Sequence, residues 1–162
     1  TTVCGPVSAR ATVVPHGPGS SQGVGPSVNR APVFQELPPV AVCANFDVSW
    51  AHRAGDPDGD ELVYSFFAPF DGGGTVNGNG LNSLVPNPPA TPPYNDVPYL
   101  NGFSATNPIP SDPAMSIDPN TGLITGMPTT VGQYATGIGV AEYRDGALLK
   151  TTLGEFQVHG TL

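Results

Sequence analysis

Apolar and polar positions alternate along this chain in short runs that end before they reach helical length. Phe46, Val48 and Trp50 alternate with Asp47 and Ser49, the two-residue period of a half-buried strand. Leu62-Val63-Tyr64-Ser65-Phe66-Phe67 predicts a further strand. Asn29-Arg30-Ala31-Pro32-Val33-Phe34 predicts an entry strand, with Pro32 tolerated only at an edge or a strand start. Met115-Ser116-Ile117 and Gly122-Leu123-Ile124-Thr125-Gly126 flank Asp118-Pro119-Asn120-Thr121, residues that each suit a turn, so the three segments predict a hairpin. Gln133 to Tyr143 and Ala147 to Val158 are two long alternating runs joined by Arg144-Asp145-Gly146. Asp-Gly between such runs predicts a tight turn and pairing of the last two strands.

About seven short strands separated by turn signals favour an all-β antiparallel sandwich over a barrel or propeller. Helix is disfavoured because Gly (21) and Pro (20) punctuate the 162 residues throughout, at a cost of about 1 and 3 kcal/mol each in a helix interior. The length fits one domain with a core, and no internal repeat is visible. Residues 1–28 hold a single strand-like run, Ala11-Thr12-Val13-Val14, followed by a Pro/Gly/Ser-rich stretch, and are predicted to form an extended arm. Residues 29–162 are predicted to form the sandwich. Within it, residues 69–113 are rich in Gly, Asn and Pro and read as a long insertion, of the kind that is functional or packed as a cover.

Charge narrows the partners. One Lys and four Arg stand against 13 carboxylates, for a net charge of −8. Such a surface repels phosphate backbones and anionic lipid, so nucleic-acid and membrane-surface roles are not expected. No apolar run reaches membrane-spanning length, and Thr1-Thr2-Val3-Cys4 lacks the regions of a signal peptide, so a secreted form would be the processed one. Cys4 and Cys43 have neither CxxC spacing nor a nearby His pair. A disulfide is their simplest use and implies an oxidising compartment; a pair of buried free thiols and an intermolecular bridge both stay open.

Three series carry a family resemblance: Asn29 to Phe34; Asp56-Pro57-Asp58-Gly59-Asp60-Glu61-Leu62-Val63-Tyr64-Ser65; and Ile117-Asp118-Pro119-Asn120-Thr121-Gly122-Leu123-Ile124-Thr125-Gly126. In order and spacing they resemble cadherin-like and immunoglobulin-like (PKD-like) repeats of bacterial surface proteins. Gly132-Gln133-Tyr134 through Val140-Ala141-Glu142-Tyr143-Arg144-Asp145-Gly146 looks like the version in Bacteroidetes-type surface and gliding-associated proteins, as does Tyr99 to Asn107 in the insertion. The resemblance spans about Asn29 to Val158. It implies an extracellular β-sandwich of adhesins or filaments, commonly calcium-stabilised, with no catalytic activity. Relatives often carry further cysteines near the positions of Phe67 and Gly139, which leaves Cys43 with Cys4 of the arm or of another subunit.

The acidic turn Asp56-Pro57-Asp58-Gly59-Asp60-Glu61 concentrates carboxylates that repel one another unless a cation intervenes. Calcium suits them, as a hard ion taking six to eight oxygens in flexible geometry. Asp56, Asp58, Asp60, Glu61 and Glu142 are the candidate ligands, and Asp118 and Asn29 can join if folding brings them near. A solvated turn held by Asx-type hydrogen bonds is the plainer alternative. Gly19-Ser20-Ser21-Gln22-Gly23 matches G-x-S-x-G formally, but without the strand and helix that make a nucleophile elbow. His16, His52 and His159 lack metal-ligand spacing. Phe34, Trp50, Tyr64, Phe66 and Tyr134 lie in strand patterns and read as core. Tyr94, Tyr99 and Phe103 of the insertion are the candidates for contact with a ligand or partner.

Three functions compete. The first is a structural subunit or module of an extracellular, cell-surface fibre or adhesin, whose partners are copies of itself or neighbouring domains joined through the arm by strand addition. The second is a module that recognises glycan or host protein through residues 69–113. An enzyme, the third, would need convergent reactive side chains that the sequence does not offer, so none is expected.

Overall fold

A computed structural model of the chain describes residues 29–70 and 93–162. The predicted arm and the first part of the predicted insertion, residues 71–92, lie outside the described residues, and with them Cys4, Ala11 to Val14 and the G-x-S-x-G stretch. The fold is all-β, and among the described residues no helix forms. The described residues form nine strands: β1 (Val33–Phe34), β2 (Ala41–Cys43), β3 (Val48–Ala51), β4 (Ala54–Gly55), β5 (Glu61–Phe67), β6 (Ser116–Ile117), β7 (Leu123–Gly126), β8 (Gly132–Arg144) and β9 (Ala147–Thr161). They form a four-stranded sheet of order β2-β9-β8-β5, a three-stranded sheet of order β3-β7-β6 and a two-stranded pair, β1-β4.

The β8–β9 hairpin is the longest pairing, running from Arg144↔Ala147 to Gly132↔Gly160. Its turn needs a left-handed backbone at two successive residues, and Asp145 (φ 52°) and Gly146 (φ 78°) supply it. That conformation matches the right-handed twist of the flanking strands. Next to the turn the register slips between Glu142 and Tyr143, a bulge that re-aims the side chains at this end. β5 pairs antiparallel with β8 from Glu61↔Tyr143 to Phe67↔Gly137. β2 adds to the other side of β9 in the parallel sense, Ala41↔His159 to Cys43↔Thr161.

The β6–β7 hairpin forms as its turn chemistry predicts. Asp118 Oδ1 accepts the backbone N–H of Asn120 (3.0 Å) and of Thr121 (2.8 Å), and Gly122 follows at φ 67°. The turn also ties the two larger sheets together: Tyr64 of β5 donates its N–H to Pro119 O (2.8 Å), and His52, beside β3, donates to Gly122 O (3.0 Å).

Val42, Ile109, Met115, Ile124, Tyr134, Ile138 and Val158 form one buried cluster, with Phe34, Val48, Trp50, Phe66, Phe103, Ile117 and Phe156 packed against it. β2, β8 and β9 of the four-stranded sheet and β7 of the three-stranded sheet therefore meet in one core. Each fully buried aliphatic side chain contributes about 1.5–3 kcal/mol relative to exposure. Phe46, assigned to a strand face by its alternation, precedes β3 and is exposed. Ile109, inside the predicted insertion, is among the most deeply buried residues of the core. The segment from Pro93 to Pro113 is irregular, and isolated bridges (Phe70↔Asp96, Ser111↔Pro128) pin it to the sheets.

Candidate functional site

β5 and β8 bring the carboxylates together. The turn from β4 into β5 is organised by Asp56, whose Oδ1 accepts the backbone N–H of Asp58 (2.8 Å) and of Asp60 (2.9 Å). Gly59, at φ 82°, supplies the left-handed step this needs. Along β8, Ile138, Val140 and Glu142 share a face by the two-residue period, so Glu142 continues the core-facing row and is fully buried. One carboxylate oxygen each from Asp56, Asp60 and Glu142 lies within 4.8 Å of the others.

Two guanidinium groups balance part of this charge. Arg144 Nε donates to Asp60 Oδ1 (2.6 Å) and Nη2 to Asp60 Oδ2 (2.5 Å), a bidentate pair, while Nη2 also reaches Asn29 Oδ1 (3.1 Å) and approaches Asp58 Oδ2 (3.8 Å). Arg30 holds Asp58 through its backbone N–H to Oδ2 (2.7 Å) and through Nε (2.9 Å) and Nη2 (2.7 Å) to Oδ1. Asp58 is thus turned toward Arg30, and Glu61 is exposed on β5. Asp118 is occupied by its own turn, where Thr121 Oγ1 also donates to it (2.9 Å). Of the predicted ligands the structure gathers Asp56, Asp60 and Glu142. Arg144 and Arg30 were not singled out by sequence reasoning. The signal for Arg144 was its position two residues after Glu142, on the same side of an alternating strand; no comparable signal marked Arg30.

Glu142 is the outlier of the cluster. Both its oxygens are buried with no hydrogen-bond partner among the described residues, and Asp56 Oδ2 is in the same condition. Burial, with the nearby Asp60 and Asp56 carboxylates, pushes the Glu142 carboxyl above the ordinary glutamate range, against an opposing pull from the Asn29 side chain. Arg144 pulls Asp60 below the usual aspartate range, and Arg30 does the same for Asp58. With every group ionised, Asp56, Asp58, Asp60 and Glu142 exceed the two arginines by two negative charges, the deficit one divalent cation neutralises. Two oxygens on opposite sides of a calcium ion lie at most about 5 Å apart. The three gathered carboxylates fall within that span, and the unpartnered oxygens of Glu142 and Asp56 are the donors such an ion would take.

The remaining predicted contacts scatter. Tyr94 is exposed and tilts against Phe70 (ring centroids 6.3 Å apart), which in turn meets Phe67 (6.1 Å). Tyr99 buries its hydroxyl. Phe103 stacks on Tyr134 at 6.0 Å and belongs to the core rim. Cys43 ends β2 beside Thr161; its predicted bridge partner, Cys4, lies outside the described residues. His52 is buried between Phe34 (4.4 Å) and Phe156 (5.5 Å) and is held below its ordinary pKa by that burial. No family model, curated protein or solved structure matches this chain.

Proposed function

We propose that this protein is a calcium-braced, immunoglobulin-like β-sandwich that serves as a structural module of a bacterial surface fibre or adhesin and joins copies of itself through residues 1–28. The observation that carries the reading is Glu142, whose two buried oxygens lack partners beside Asp56 and Asp60. A buried carboxylate in that condition is costly unless it takes a proton or a cation. A calcium ion would use Glu142, Asp56 and Asp60 with backbone carbonyls or water, and would tie the β4–β5 turn to the end of β8. Extracellular modules bind calcium with dissociation constants of about 10⁻⁴–10⁻³ M, and an affinity in that range would fit a secreted protein. The family resemblance, the sparse positive charge and a core shared between two sheets support the same reading. A Cys4–Cys43 disulfide would suit that compartment.

Calcium at millimolar concentration is expected to raise the melting temperature by about 5 °C over a chelator-treated sample, and Glu142→Gln is expected to abolish the difference. Identical melting in both conditions overturns the brace. Deleting residues 1–28 is expected to leave monomers under the electron microscope where the full chain assembles; polymers of the shortened protein overturn the role of that segment.

A further inference from the structure

Among the described residues β9 is bonded along its full length on one side only. β8 runs beside it from end to end, but on the other side, among the described residues, β2 covers only His159, Gly160 and Thr161. The chain cannot extend β2 backwards along this edge, because Pro38 and Pro39 stand just before Val40 and have no N–H to give. It leaves instead for β1, which pairs with β4. The backbone of His159 fixes which groups are exposed: its N–H donates to Val40 O (2.9 Å), so it faces the β2 side. The register with β8 is regular from Gly160 back to Lys150. By the two-residue period the N–H and C=O groups of Gln157, Glu155, Leu153 and Thr151 face that same side. Among the described residues no strand pairs with them there.

Exposed edges of this kind are usually blunted by lysine, proline or a bulge. On β9 the bulge and Lys150 lie at the hairpin end, and Thr151 to Gln157 contains no Lys or Pro. Leu153, in the middle of the stretch, is 42 % exposed. Nothing in this stretch of β9 blunts the edge against an incoming strand.

The chain itself supplies a donor of matching chemistry. Residues 1–28 contain no Asp or Glu and carry Arg10 directly before the β-prone run Ala11-Thr12-Val13-Val14, in a protein of net charge −8. That composition suits an edge bearing Glu155, whose Oε1 accepts the Phe70 N–H (2.7 Å) and whose charge is not met by a cation among the described residues. Asn29, the first described residue, accepts from Arg144 Nη2 (3.1 Å) next to the β8–β9 turn, at the end of β9 where the open edge begins. We propose that the edge of β9 from Thr151 to Gln157 receives residues 10–14 of a second copy of this chain as an added strand. This rests on the reading of residues 1–28 as the joining segment and names the surface they join.

Amide hydrogen exchange on the full chain across a concentration series tests it, together with Leu153→Pro. Proline at 153 removes an N–H that faces the open edge and no bond to β8. Exchange at Thr151, Leu153, Glu155 and Gln157 is expected to slow at least tenfold as concentration rises, and Leu153→Pro is expected to stay monomeric. Leu153→Lys, which leaves the backbone intact and sets an ammonium group at the edge, is expected to do the same while melting like the parent, so a folding defect in the proline variant would not decide the matter. Slow exchange at every concentration would mean the edge is filled within one molecule, and fast exchange at every concentration would mean it stays bare; either overturns the proposal. If the Leu153 variants assemble normally while deletion of residues 1–28 prevents assembly, the edge assignment fails and the joining role survives. If neither change affects assembly, both fail.

Discussion

In the absence of calcium, Glu142 is expected to set the pH behaviour of the protein. Its neighbours are Asp56 and Asp60 from the turn before β5, Arg144 two residues on, and Lys150, its exposed cross-strand partner on β9. Its pKa in the fold lies above the ordinary value of 4.5, so the folded state holds a proton that the unfolded chain releases. The associated stability is complete below the ordinary glutamate pKa and is lost as pH rises through the raised one. Asp58, Asp60 and Asp118 act in the opposite sense: their lowered values mean stability present above the ordinary aspartate range and lost as pH falls through the depressed one. In chelator, the melting temperature is therefore expected to pass through a maximum in mildly acid solution and to fall toward neutrality. Glu142→Gln is expected to remove the neutral-side fall; a fall that persists in the variant would show another group to be responsible. Calcium favours the ionised carboxylate and is expected to flatten the same limb in the parent.

At the scale of elements, the β8–β9 hairpin was legible because its determinants are local. Alternation marked both strands, and Asp145-Gly146 met the left-handed turn with residues that accept it. The β6–β7 hairpin was legible for the same reason. What escaped depends on distant partners. The short β2 and β4 have too few residues for a period to show, and β2 is a strand only because β9 offers it an edge. Gly137 is a further case: an added Cβ would stand 2.7 Å from Phe67 O and 2.6 Å from its ring. β5 and β8 thus come together with the Phe67 ring lying over a gap that only glycine leaves. Gly137→Ala is expected to destabilise by about 1–3 kcal/mol through overpacking, read as a lower urea midpoint with an unchanged slope. A gain in stability would show that the ring has room to move aside.

The whole molecule shows why the acidic site was only half legible. Sequence proximity made Asp56, Asp58, Asp60 and Glu61 look like one set, yet the fold hands Asp58 to Arg30 and exposes Glu61. Glu142, a candidate despite its distance in sequence, does join Asp56 and Asp60, because β8 lies beside β5 and the same register that aligns the core carries Glu142 inward. The segment from Pro93 to Pro113 teaches the same lesson: irregular by composition, it nonetheless delivers Ile109 and Phe103 to the core. The parallel pairing of β2 with β9 bears on how the domain would answer a pull. Tension that enters through the residues before Ala41 and leaves through Leu162 would drag these two neighbours lengthwise past each other. Their cross-links are then loaded together in shear instead of parting one after another like a zip, so a fibre built from such links would resist stretching at this clamp.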